Sequence, residues 1–107
     1  MLSTYGANEY LKIVQSPFNP LTDTAVIGYV LPEPGGYLTI AVYDLAGRTV
    51  ATLVRGKIST IEGETCWLGR NESNRLIPVG IYIVNLEYRV RTTTYQAKLP
   101  LILARPL

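Results

Sequence analysis

Trp67-Leu68-Gly69-Arg70-Asn71-Glu72-Ser73-Asn74-Arg75-Leu76-Ile77-Pro78-Val79-Gly80-Ile81-Tyr82-Ile83-Val84-Asn85-Leu86 reads as the end of one strand, a polar turn and a long second strand. Glycine, asparagine and serine cluster between two apolar segments, which is the chemistry of a turn. Beyond Gly80, Tyr82, Val84 and Leu86 share one face, and Asn85 and Glu87 take the other. A period of two with polar residues on one side marks a half-buried strand. Trp67 is expected to anchor this corner in the core, because large aromatics dominate the cores of small domains.

Upstream of this corner, further strand patterns follow one another. Tyr10 to Val14 is a short run, interrupted by Ser16-Pro17-Phe18-Asn19-Pro20. Two prolines so close together exclude helix and central strand, so this is a kinked crossing with Phe18 as a plug over the core. Thr22 to Leu31 alternates, with Ile27, Tyr29 and Leu31 on one face, and Pro32 to Gly36 closes it as a turn. Tyr37 to Asp44 places Leu38, Ile40 and Val42 on one face. Leu45 to Arg48 is a tight turn in which Gly47 supplies a positive φ. Thr49 to Arg55 and Glu62 to Trp67 are strands joined by residues 56–61, with Thr65 and Trp67 inward and Glu64 and Cys66 outward.

Downstream, Gly80 to Tyr88 is the long strand, Val90 and Arg91 turn, and Thr92 to Leu103 is the last strand, its end demoted to an edge or a bulge by Pro100. Gly80 is expected to be a conformational glycine of positive φ, starting the long strand where backbone passes closely. The sum is an all-β, seven-stranded immunoglobulin-like, fibronectin III-like antiparallel sandwich over residues 10–107, preceded by a linker or tail over residues 1–9.

Composition narrows the function. The chain has 107 residues, one cysteine and no histidine. Without histidine, Ser-His-Asp and Cys-His catalysis and histidine-ligated zinc are excluded. No D-x-[DN]-x-[DN]-G spacing is present, so there is no EF-hand-like site. No catalytic, cofactor or metal residue is assigned, and no enzyme activity is expected. The net charge of +2 is too small to argue for nucleic acid. No apolar run reaches about 18 residues, so no membrane span is expected. Arg89, Arg91, Lys98 and Arg105 form a basic set that either guards an edge strand or meets a partner.

Five ordered motifs carry a family resemblance: Pro17-Phe18-Asn19-Pro20, Tyr29 to Gly35, Val42 to Val50, Trp67-Leu68-Gly69-Arg70-Asn71 and Gly80-Ile81-Tyr82. They resemble the immunoglobulin-like domain family of the flagellar hook-capping protein, which includes the type A C-terminal sorting domains of the type IX secretion system. The structural residues so implied are Phe18, Gly47, Trp67, Gly69, Gly80 and Tyr82. Two positions depart from the family: Leu68 stands where Asp is usual, and Asn74 where a turn Gly is usual. Asparagine tolerates the left-handed region, so the turn is expected to survive.

The ending Lys98-Leu99-Pro100-Leu101-Ile102-Leu103-Ala104-Arg105 is similar to the basic-apolar-basic close of the sorting branch. The resemblance implies a non-catalytic C-terminal module of a larger secreted or cell-surface bacterial protein, exported through the periplasm, serving in sorting, anchoring or domain–domain interaction. Its partners would be the preceding domain of its own chain and the secretion machinery, met by β-augmentation of an exposed last strand. Two other readings stay open: a structural assembly domain like that of the hook-capping protein, and a carbohydrate-binding module resting on the eight tyrosines.

Overall fold

The structure is a computed structural model that describes residues 4–7, 10–16 and 18–104. Eight strands follow in chain order: β1 (Thr4–Ala7), β2 (Leu11–Ser16), β3 (Ala25–Val30), β4 (Tyr37–Tyr43), β5 (Thr49–Lys57), β6 (Glu62–Trp67), β7 (Gly80–Val90) and β8 (Thr93–Leu103). They form two antiparallel four-stranded sheets, ordered β1-β2-β3-β6 and β5-β4-β7-β8. This is the expected immunoglobulin-like sandwich, with β1 added outside the seven expected strands. The 1–9 stretch read as linker or tail therefore contributes a strand, because residues 4–7 pair with the open side of β2. Pro17 and Arg105 lie outside the described residues.

Strand alternation builds the core. Ile27, Leu31, Leu38, Ile40, Val42, Trp67, Tyr82, Val84 and Leu86 are all buried, as the period of two requires. Tyr29, expected among them, is only half-buried and packs against the rim of the core. The long strand runs further than its pattern suggested: Tyr88 and Val90 are also buried, and β7 ends at Val90. The hairpin turn is accordingly Arg91-Thr92, with Arg91 at φ 54. A positive φ there suits the right-handed twist of the two strands it joins.

Trp67 holds the two sheets together. Its ring meets Phe18 edge-on at 5.8 Å and Tyr82 at 5.9 Å. Its indole N–H donates to the Arg70 carbonyl at 2.9 Å, so the polar handle of the ring is satisfied without leaving the core. Phe18 is the plug its prolines imply, and it also does something more specific. Its backbone N–H donates to Ile102 at 3.0 Å and its carbonyl accepts from Ala104 at 2.9 Å, a parallel bridge onto the end of β8.

Glycines act in two ways here. Gly47 (φ 88) and Gly80 (φ 151) both have positive φ. Gly80 is therefore the conformational glycine the sequence implies, but a Cβ on it would meet nothing within 4 Å, so the close passage also expected there is absent. Close passage occurs at Gly69, where a Cβ would lie 2.6 Å from Pro20 Cβ. Gly47→Ala is expected to lower stability by about 1 kcal/mol through its backbone conformation alone. A denaturant titration checks this; an unchanged midpoint would refute it.

Candidate functional site

The outer face of the β5-β4-β7-β8 sheet has two ends of different chemistry. Side chains directly opposite one another on neighbouring strands share a face. Tyr43 is opposite Ile83, Ile83 opposite Pro100, and Ile81 opposite Ile102. With Leu45 from the adjoining turn, these make an apolar end: Leu45 is 70% exposed, Ile81 48% and Ile102 40%. A contiguous apolar patch on a solvent face is the usual mark of a protein contact. Towards the hairpin tip the same face turns basic and polar, with Lys57, Tyr37, Arg89 and Thr94 aligned across the four strands.

Between the two ends lies a shallow cavity of about 430 Å³, lined by Tyr43, Leu45, Ile83, Asn85, Gln96 and Lys98 among others. Asn85 Oδ1 is buried with no hydrogen-bond partner. An unpaired buried acceptor is destabilising, and a surface selected for stability alone avoids one.

The turn that closes the apolar end is rigid, and the sequence explains why. Asp44 Oδ1 accepts from the backbone N–H of Ala46 at 3.0 Å and of Arg48 at 2.9 Å. Asp44 Oδ2 also pairs with the Arg48 guanidinium at 3.0 Å. An aspartate that caps its own turn is the Asx arrangement. The Arg48 backbone N–H above all, then its guanidinium, holds the Asp44 carboxyl below its ordinary pKa. A depressed carboxylate stabilises above its unfolded pKa of about 3.9 and loses that stabilisation as pH falls through its folded value. Asp44→Asn is therefore expected to lose less thermal stability than the wild type on acidification below about pH 4. Parallel melting curves over pH test this.

The 69–75 turn is pinned likewise. Asn71 Oδ1 accepts from Ser73 N at 2.9 Å and Arg75 N at 3.0 Å. Asn74 sits at φ 61, so asparagine does take a left-handed position and the turn survives, as expected. Leu68 is exposed.

Among the described residues, the basic set does not converge. Arg89 lies on β7, a strand paired on both sides, so it guards no edge. Arg91 is in the hairpin turn and forms an ion pair with Glu33. Lys98 does lie on edge strand β8, but opposite Asn85, four residues from Arg89, or about 13 Å along the strand. Nor, among the described side chains, do the tyrosines form a strip. Tyr82 and Tyr88 are buried, Tyr10 packs edge-on against Tyr95, and Tyr37 and Tyr43 stand at opposite ends of β4, about 20 Å apart.

The last strand is less available for augmentation than its sequence implies. The Phe18 bridge uses the outward backbone groups of Ile102 and Ala104. By alternation Pro100 is the next outward position, and it has no N–H to offer. Cys66 is exposed, on the face opposite Trp67 as alternation predicts. It is expected to react with a thiol reagent in the native protein at a rate close to that of the unfolded chain; strong native protection would refute this.

No family model matches the chain, and no curated protein matches it. Among solved structures, the crystal structure of FLGD from P. aeruginosa matches with a TM-score of 0.60 at 23% identity. The match covers 75% of this chain and 62% of that one, so this chain corresponds to less than two thirds of its neighbour. In fold, the sandwich is similar to FLGD, a flagellar hook-capping protein.

Proposed function

We propose that the chain is a non-catalytic structural assembly module that docks onto a protein partner through the apolar end of its β5-β4-β7-β8 face. The observation that carries this reading is the exposed row of Leu45, Ile81 and Ile102 beside the rigid Asp44 turn. A rigid sheet presenting aliphatic side chains binds without paying to order a loop. The fold likeness to FLGD supports the same class.

The test is to express the full chain in its native cell as wild type and as Ile81→Glu with Ile102→Glu. The wild type is expected to migrate within a larger assembly. The folded double variant is expected to migrate free. Retention of the variant in the assembly would remove this face from the proposal.

A second reading, sorting by the type IX machine, rests on the resemblance of Lys98 to Arg105 to the close of the sorting domains. It is separated by fusing residues 10–107 to a reporter in a host competent for that secretion. Delivery of the reporter to the surface would place sorting first. Retention in the periplasm would leave assembly as the reading.

A further inference from the structure

The two sheets each leave one strand edge open on the same side of the sandwich. β5 ends its sheet and β6 ends the other, and the two are in contact across that side. Residues 58–61 join them, reversing the chain, so β5 and β6 run in opposite directions.

The backbone parity at both edges can be read from the turns. Leu31 N–H donates to the Ile61 carbonyl at 2.7 Å, so Ile61 faces β3. Backbone groups alternate sides with period two, so those of Glu62, Glu64 and Cys66 face outward. Ile58 exchanges bonds with Gly35 and Gly36, each at 2.9 Å, so it faces β4. Lys57 and Arg55 therefore face outward. The edge of β5 is closed at Val50, whose carbonyl accepts from Glu72 N–H at 3.0 Å, leaving the stretch towards Lys57 open. Among the described residues, the Thr60 hydroxyl donating to the Glu62 carbonyl at 3.2 Å is the side-chain contact on the β6 edge.

The same residues carry the charge. Glu62 and Glu64 are exposed on the outer face of one sheet, and Arg55 and Lys57 on the outer face of the other. The spacing of two residues is identical in both pairs. Like edges repel and unlike edges attract.

We propose that this side is the interface of a two-fold dimer in which β6 of each copy adds to β5 of the other. A two-fold axis parallel to the strands exchanges the layers and the sides while keeping strand direction. It brings β6 of one copy antiparallel to β5 of its partner, and the same contact repeats in the other layer. Such an interface is isologous and closed. Glu62 then lies opposite Lys57 and Glu64 opposite Arg55, with the outward backbone groups of each pair in register to exchange bonds. Cross-strand charge pairs favour this arrangement, and like charges directly opposite disfavour the alternatives. The contact uses neither Ile81 nor Ile102, so it stands apart from the docking face proposed above.

Sedimentation velocity on residues 1–107 over a concentration series tests the dimer. A reversible dimer is expected, weakening as salt rises. Glu62→Lys with Glu64→Lys, and separately Arg55→Glu with Lys57→Glu, are each expected to weaken self-association roughly tenfold or more. Mixing the two variants restores opposite charges at both seams and should restore the dimer. Circular dichroism verifies that each variant is folded. If a double variant does not fold, Glu64→Lys mixed with Arg55→Glu serves the same comparison. A wild type monomeric at every concentration, a dimer indifferent to charge reversal, or a mixture that stays monomeric would each overturn the proposal. Ile81→Glu should leave the dimer intact whatever it does to assembly.

Discussion

Trp67→Ala is expected to lower folding free energy by about 3–5 kcal/mol, the range for truncating a large buried aromatic. The ring is 3% exposed and sits between Phe18 and Tyr82, so its loss opens a cavity shared by both sheets. It also leaves the Arg70 carbonyl without its indole donor. Small domains have a total stability of about 5–15 kcal/mol, so the variant should be largely unfolded on modest warming. Trp67→Phe separates the two contributions: it keeps most of the packing and loses the hydrogen bond. Its loss should be clearly smaller than that of alanine. A thermal melt of the alanine variant that overlays the wild type would remove Trp67 from the core.

The second large effect is expected at Tyr88, where Tyr88→Phe should cost about 1–3 kcal/mol although it removes a single oxygen. The side chain is fully buried. Its hydroxyl donates to the Glu33 carbonyl at 2.6 Å and accepts from Gly36 N–H at 2.8 Å. Phenylalanine would leave both turn groups without that partner. The turn between β3 and β4 would lose its buried tie to β7 and keep only the exposed Arg91–Glu33 ion pair to the β7–β8 hairpin. For a domain of this size each kcal/mol is worth roughly 4–8 °C in melting temperature, so calorimetry resolves the change. Hydrogen exchange at Gly36 gives a local reading. Faster exchange there, without a global change, would show that the hydroxyl orders the turn alone.

Together the two substitutions separate what the strand pattern specifies from what the folded chain adds. Trp67 was legible as a core residue because it ends an alternating run before a turn. Tyr88 was not, because nothing local marks its partners. Glu33 lies 55 residues away in sequence and Gly36 lies 52 away. The glycines divide in the same way. The positive φ at Gly47 follows from its tight turn, whereas the crowding at Gly69 depends on Pro20, Phe18 and Leu103 arriving from distant parts of the chain.

The basic set shows why one-dimensional grouping misleads. Arg89, Arg91 and Lys98 are close in sequence, yet the hairpin places them on a central strand, in a turn and on an edge. Arg91 is moreover held by Glu33 from the opposite turn. The apolar end of the same sheet was missed for the converse reason. Ile81, Ile83 and Ile102 read as ordinary strand residues, and only cross-strand pairing gathers them on the outer face.

The sequence by itself determined seven of the strands along the chain, most of their inward and outward faces, the turns at Gly47 and Asn74, and the absence of histidine chemistry. These are properties of neighbours along the chain, where a period of two and a turn residue act locally. The tertiary structure alone decided which edges stay open, that Phe18 closes the end of β8, and that Glu62 and Glu64 match Arg55 and Lys57 in parity. Those depend on which strands become neighbours, and pairing between distant segments is fixed by the packing of the whole sandwich.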